Sequence, residues 1–452
     1  MLAALGVLAL ASGGAGAKAA LGARPSAQSV LPPPTLGRCL QVLHVACYTP
    51  PQLQRAYDLR PLYRKGLNGK GSTIVIVDPF GSPTIGSDLR VFDHAFGLPN
   101  PRVLRVVQPV GAVPPFNPKN AGMVDKAAET TLDVEWSHAI APGASILLVE
   151  TPVQENPAGR GFPQFMAAEN YVIDHNLGDV ISQSFSLPEQ NFGRVRIARL
   201  RLAYRNAERH HVTVLAASND NGVSGPKPRR GLYAHRVVEW PASDPLVTAV
   251  GGTKLHLNAA GRRTSPDTVW NDTYNPLISK GTSNSPPPVP WASNGGVSLI
   301  FSRPSDQDGV RGIVGDSRGV PDVSMSAAFS GGVMLYETYP GAVAGGWSPA
   351  NGGTSEATPE FAGIIAIADQ YARTRLHKGR VGLINPALYR LARSHASGIV
   401  DVTKGNNTVA FRSAPGKTTT VKGYAARRGY DLATGVGTID AARFVPELAN
   451  AG

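Results

Sequence analysis

Glu129 and Asp133 lie four positions apart in AETTLDVEW, residues 128–136. Four residues is about one helical turn, so the spacing predicts two carboxylates on one helix face. Two neighbouring carboxylates resist double ionisation, which raises the pKa of one and lets the pair share a proton. Such a pair can take a proton from a hydroxyl. Trp136 falls at nearly the same angle as Glu129 and would add an apolar wall. The plainer reading is a solvated acidic face, or acids paired with Lys126 and an arginine, and for acids at this spacing it is the usual one.

A hydroxyl that could use such a base lies in NGGTSEATPEFAGIIAIADQ, residues 351–370. Two glycines permit a sharp turn. Thr354 and Ser355 then open an apolar helix, with Pro359 expected in its first turn. Near a helix N-terminus, free N–H groups and the dipole favour developing negative charge, which suits a nucleophilic serine. The competing reading is that Ser355 merely caps the helix. A nucleophile needs a base, and none of the ten histidines sits in a motif that supplies one. His138 is nine residues from Glu129 and half a turn out of phase with it. A carboxylate base is therefore the alternative to weigh.

A third acid, Asp220, follows the apolar run VTVLAAS in VTVLAASNDNGVSG, residues 212–225. Polar residues just past the carboxyl end of a parallel strand are where ligands bind in doubly wound sheets. A protonated Asp220 could donate to an oxyanion; Asn-Asp-Asn-Gly is also strong turn chemistry. Near the C-terminus, Asp401 and Asp431 stand in Gly-rich turns that could offer oxygen ligands to calcium, although Asp beside Gly is usually only a turn.

These residues need a scaffold. STIVIVD (72–78), ASILLVE (144–150), DVISQSFS (179–186), VTVLAAS (212–218) and LVTAVGG (246–252) are continuous apolar runs of the kind buried on both faces of a parallel sheet. Helical stretches around 161–175 and 193–210 alternate with them. The fold class expected is therefore α/β, a doubly wound, mostly parallel sheet flanked by helices. The 452 residues include 50 Gly and 38 Pro, above the usual ~7% and ~5%, which adds long Gly/Pro-rich loops such as 273–310. The net charge of +12 is spread without a basic block, so no nucleic-acid partner is expected. No membrane partner is expected either: the N-terminal apolar run is too short to span a bilayer and ends in Ala15-Gly16-Ala17, the pattern of a secretory signal over residues 1–17 that lacks its basic start. Cys39 and Cys47, in a segment spanning 18–49, would close one small disulfide loop in a secreted chain.

Taken together these stretches resemble the sedolisin family, serine-carboxyl peptidases with a subtilisin-like fold. AETTLDVEW…IAPGASILLVE resembles the family's Glu-x-x-x-Asp helix, Ala-Pro-Gly-Ala turn and strand, and GGTSEATPEFAG its Gly-Thr-Ser-x-x-x-Pro nucleophile motif. AASNDNG stands in place of the Asp-containing oxyanion loop. TPPQLQRAYDLRPLY, SNGGVSLIFSRPSDQ and VPDVSMSA follow in family order, so the likeness covers about residues 48–443 within a peptidase domain of 50–452. The resemblance implies Ser355 as nucleophile, Glu129 as its base, Asp133 as the acid sharing Glu129's proton, and Asp220 as the oxyanion acid. It implies one calcium ion held by Asp401 and Asp431 with the main-chain oxygens of Val402, Arg427 and Gly429, where Arg427 replaces a usual glycine. Asp78, at the end of the first apolar run in IVDPFG, would extend the carboxylate chain. The expected protein is a secreted, monomeric, acid-acting endopeptidase for protein or peptide substrates. The family's folded propeptide has no evident counterpart ahead of residue 50. The competing readings are a Ser-His-Asp subtilase using Asp78, and a non-catalytic binding protein on a decayed peptidase fold.

Overall fold

Runs of Val, Ile and Leu make the centre of the molecule. In the computed structural model, which describes residues 31–279, 288–414 and 416–451, they form an eight-stranded sheet. Its strands are β1 (Thr73–Pro79), β2 (Leu104–Val107), β3 (Ser145–Thr151), β4 (Val180–Gln183), β5 (Thr213–Ala217), β6 (Thr248–Lys254), β7 (Thr268–Val269) and β8 (Val323–Ser326). The order is β7-β6-β5-β4-β1-β3-β2, with β8 also paired to β6. All pairs are parallel except β6–β7. β1, β3, β4, β5 and β6 are buried almost end to end, which is why their sequences show continuous apolar runs instead of alternation. The α/β reading is thus borne out.

From β1 the chain builds outward on both sides, through β3 and β2 one way and β4, β5 and β6 the other. The carboxyl ends of β1, β4 and β5 therefore surround the topological switch, where open α/β sheets bind ligands. Asp78 lies on the last turn of β1, Ser184 just past β4, and Asp220 three residues past β5.

Two helices cross one face and pack against each other: α1 (Ala121–Ile140) and, late in the chain, α2 (Thr354–Arg375). Asn120 starts α1 by accepting the N–H groups of Gly122 and Met123. Both are central helices. Residues 129–140 of α1 and 354–370 of α2 are buried on every side, so neither shows a polar face. The expectation of an exposed acidic face on α1 fails for that reason. The single helix expected over 193–210 is instead two, Arg194–Leu200 and Leu202–Arg209, separated at Arg201.

Cys39 and Cys47 are bonded, with Cα atoms 6.0 Å apart. The strand that contains Cys47, Ala46–Tyr48, pairs in parallel with Gly331–Tyr336, and Trp347 donates its indole N–H to the Leu31 carbonyl at 2.6 Å. The expected signal over 1–17, the 18–30 stretch behind it and the middle of the Pro-rich loop lie outside the described residues. No helix among the described residues is long and apolar enough to cross a membrane.

Candidate active site

Gly353 holds φ +102°, a conformation that L side chains rarely adopt, and so turns the chain into α2. Gly353, not Ser355, is the N-cap, which removes the capping role for the serine. Ser355 is the second helical residue and is 8% exposed. Pro359 falls in the second turn, not the first; lacking an N–H, it leaves the Ser355 carbonyl without its intrahelical donor.

Across from Ser355 lies α1. The Ser355 hydroxyl faces the Glu129 carboxyl and favours its ionised form. Burial acts more strongly the other way, and the Glu129 carboxyl is pushed up to about 8, with Lys126 pulling down and Asp78 adding to the rise. Asp133 is also raised well above its ordinary value, first by burial and then by the charges of Asp78 and Glu129. Asp78 itself is lifted to about 7 by burial, against the pull of Lys126 and the Thr130 hydroxyl. These three acids share their protons instead of ionising independently. Their contacts are loose. Glu129 Oε1, both Asp133 oxygens, Asp78 Oδ2, Thr130 Oγ1 and Ser184 Oγ make no complete hydrogen bond. Catalytic contacts of this kind often tighten only when substrate is bound.

Trp136 does not wall Glu129. Its indole donates to the Met334 carbonyl at 3.0 Å and its ring packs edge-on against Phe92, so burial in general, not one aromatic, raises Glu129. His138 turns elsewhere: its Nε2 is 2.8 Å from the Pro99 carbonyl and 3.3 Å from Asp93. Lys126, one turn before Glu129, pairs with Glu155 at 2.6 Å and remains the one nearby cation acting on Glu129, Asp133 and Asp78 among the described residues. Its partner Glu155 was not legible in sequence, being far along the chain in a loop.

Asp220 approaches α2 from the other side. Its Oδ1 accepts the Thr354 N–H at 2.7 Å and the Thr354 hydroxyl at 2.8 Å, and the Thr354 hydroxyl accepts the Asn219 N–H at 3.1 Å. Burial raises the Asp220 carboxyl, and the two Thr354 contacts lower it less. A Cβ on Gly353 would come within 2.7 Å of Asp220 Oδ2, so the glycine also makes room for the acid. Thr354 thus clips Asp220 beside Ser355. The hydroxyl, the acid pair and the lone acid expected from sequence converge on one point.

The expected calcium residues also meet. Asp401 Oδ2 accepts the Gly429 N–H at 3.0 Å, and Asp431 Oδ2 accepts that of Arg427 at 2.9 Å, so both carboxylates are tied to one loop, residues 427–431. Asp431 Oδ1 takes the N–H groups of Ala433 and Thr434, each at 2.9 Å. Two carboxylates with main-chain carbonyls fit a hard cation in donor type. No cluster of three or more acidic, His or Cys ligands occurs among the described residues.

Sequence reading passed over several buried acids near this point. Glu239 lies beside the Asp220 loop, and Glu356 and Glu360 lie on α2 itself. Spacing could have flagged Glu356 and Glu360, again four apart; nothing local marks Glu239.

The profile described as the subtilase family matches residues 120–398, which contain all four converging residues. Kumamolisin from Bacillus sp. (strain MN-32) is 32% identical over 397 residues, covering 86% of this chain and 62% of its own length. Sedolisin from Pseudomonas sp. (strain 101) is 29% identical, covering 82% and 57%. A solved Pseudomonas sedolisin, a serine-carboxyl proteinase complexed with two molecules of pseudo-iodotyrostatin, superposes with a TM-score of 0.69 at 26% identity over 90% of this chain. The subtilisin-like fold is therefore that of a subtilase. Within that group the chain belongs to the sedolisin family. It spans less than two thirds of the length of these two curated relatives.

Proposed function

We propose that this protein is an acid-acting serine-carboxyl endopeptidase. Ser355 Oγ attacks the scissile carbonyl while Glu129 takes its proton, with Asp133 and Asp78 behind it spreading the charge. Protonated Asp220 donates to the oxyanion that forms on the carbonyl oxygen. The tetrahedral intermediate expels the amine, which leaves with the proton returned from Glu129, and an acyl-ester remains on Ser355. Water then attacks that ester while Glu129 takes its proton, and the second tetrahedral intermediate collapses to the free acid as Glu129 returns that proton to Ser355 Oγ. The observation that carries this reading is the burial of three separate carboxyl elements around one serine, each shifted toward its protonated form.

The pH dependence has a definite sign. All these groups are raised, so the neutral Asp220 donor and the singly protonated pair exist in acid and are lost as pH rises. Cleavage of a denatured protein should therefore be fastest in acid and fade toward neutrality. A folded sample most active at neutral or alkaline pH, or one cleaving nothing at any pH, overturns it. Against a histidine base stands the engagement of His138 with Pro99 and Asp93. H138A is expected to keep its acid activity.

Calcium, if held by Asp401, Asp431 and the carbonyls of Val402, Arg427 and Gly429, would pin the 427–437 loop against the body and take no part in the chemistry. Secretion is supported by the N-terminal apolar run and by the disulfide, which persists in oxidising compartments. Protein or peptide chains are the substrates, and a monomer suffices because every group in the scheme comes from one chain.

A further inference from the structure

Asn219 carries φ +96°, a strained conformation for a residue with a side chain. Such strain persists only where neighbours over-determine it. Here the Asn219 side chain is held at both ends. Its Oδ1 accepts the N–H groups of Asp220 at 2.5 Å and Asn221 at 2.9 Å, which fixes the backbone from which the Asp220 carboxyl projects. Its Nδ2 donates at 2.7 Å to Glu239 Oε2.

Glu239 is fully buried on the two-residue strand Glu239–Trp240, which pairs with Leu187–Pro188. The same Oε2 accepts the Ser186 hydroxyl at 2.6 Å, so Glu239 ties the segment after β4 to the loop after β5. Its Oε1 has no hydrogen-bond partner among the described residues. A Cβ on Gly225 would stand 2.6 Å from that oxygen and 2.7 Å from Pro188 Cγ, so the glycine reserves the space that Glu239 occupies. Burial pushes the carboxyl up to about 8, which makes it neutral in acid and glutamine a close mimic of it.

We propose that Glu239 is a positioning residue for the oxyanion acid: through Asn219 it holds the Asp220 carboxyl in register with Ser355. It touches neither substrate nor the reacting atoms. The inference rests on the peptidase reading for its kinetic consequence, although the geometry it asserts does not.

Two measurements test it, both on the full chain. With a peptide substrate in acid, E239A should lower kcat by roughly 30- to 100-fold while KM stays within about threefold, somewhat less than the loss from removing an oxyanion donor outright. E239Q should recover most of that loss. N219A should match E239A, and the double variant should be no worse than either, because the two act as one unit. Amide exchange at Asp220 and Asn221 is the second measurement and needs no activity: it should quicken in E239A and stay slow in E239Q. Should E239A fold poorly, G225A displaces the carboxyl without removing it and should reproduce both effects. Unchanged kcat with unchanged exchange, additive losses in the double variant, or a fall in kcat matched by a rise in KM would each overturn the proposal. If the parent protein cleaves nothing, the peptidase reading falls, while the exchange measurement still decides whether Glu239 holds the loop.

Discussion

Two helices each carry a pair of acids one turn apart, and both pairs are buried. Glu129 and Asp133 on α1 face the serine hydroxyl, Ser184 and a third acid, and Lys126 stands one turn away. Glu356 and Glu360 on α2 begin one residue after the serine, yet their surroundings differ. There Glu356 meets the Ser326 hydroxyl, Glu360 lies near Tyr57, and all four carboxyl oxygens lack complete hydrogen bonds. Neither acid of the second pair makes an ion pair among the described residues. The same spacing thus gives two different objects. A pair with a hydroxyl, a cation and access to a switch point can pass a proton. A pair sealed in the core can only hold one.

The largest expected effects separate the two pairs in acid. S355A should abolish cleavage, and E129Q should lower kcat by about 10²- to 10⁴-fold, the usual contribution of a general base. E356Q and E360Q should each stay within a few-fold of the parent, since glutamine resembles the protonated acid they replace. Comparable kinetic losses in all of these variants would erase the distinction between a working pair and a sealed one.

Next in size is the point where the two regions meet. A methyl on Gly353 would press on Asp220 Oδ2 at 2.7 Å and would also have to adopt φ +102°. G353A should therefore lower kcat by roughly 10²-fold, the scale of a lost oxyanion donor, while leaving the α1 acids untouched. Steady-state kinetics in acid, set beside a circular dichroism spectrum of the folded variant, checks it. Parent-like kcat in G353A would mean that Asp220 needs no such exact placement.

How much of this was legible before the structure follows from what each signal depends on. The strands could be read because β1, β3, β4, β5 and β6 are buried on both faces and must be apolar throughout. Glu129, Asp133, Asp220 and Ser355 could be read because each sits in a local motif that also resembles a known family. Burial of α1 could not: its acids, threonines and lysine look like a surface helix, and only packing against α2 shows otherwise. Glu239 was invisible, because its meaning comes from Ser186 and Asn219, 53 and 20 residues away. Glu356 and Glu360 were in plain view inside the quoted nucleophile segment. Their spacing equals that of Glu129 and Asp133, and only packing tells the two pairs apart.

The smallest effect tests the sealed pair by stability alone. Both carboxyls are held well above the ordinary glutamate value of 4.5, Glu356 by burial and then by the charge of Asp220, Glu360 by burial and then by Glu356. A carboxyl whose pKa is higher folded than unfolded binds its proton more tightly in the native state. Its contribution is complete below the unfolded value and is lost as pH rises from there toward the folded one. Glu135 and Glu169, also buried and raised, add to the same trend. The parent should therefore be most stable in acid and weaken steadily above it, even with Ser355 replaced by alanine to prevent self-digestion. In that background E356Q with E360Q should leave acid stability within about 1 kcal/mol and raise stability near neutrality by roughly 1–3 kcal/mol. Denaturant unfolding at a series of pH values reads this directly. Parallel curves for the two proteins across the whole range would show that the second pair costs nothing on ionisation, and that its burial has no consequence for where this fold can work.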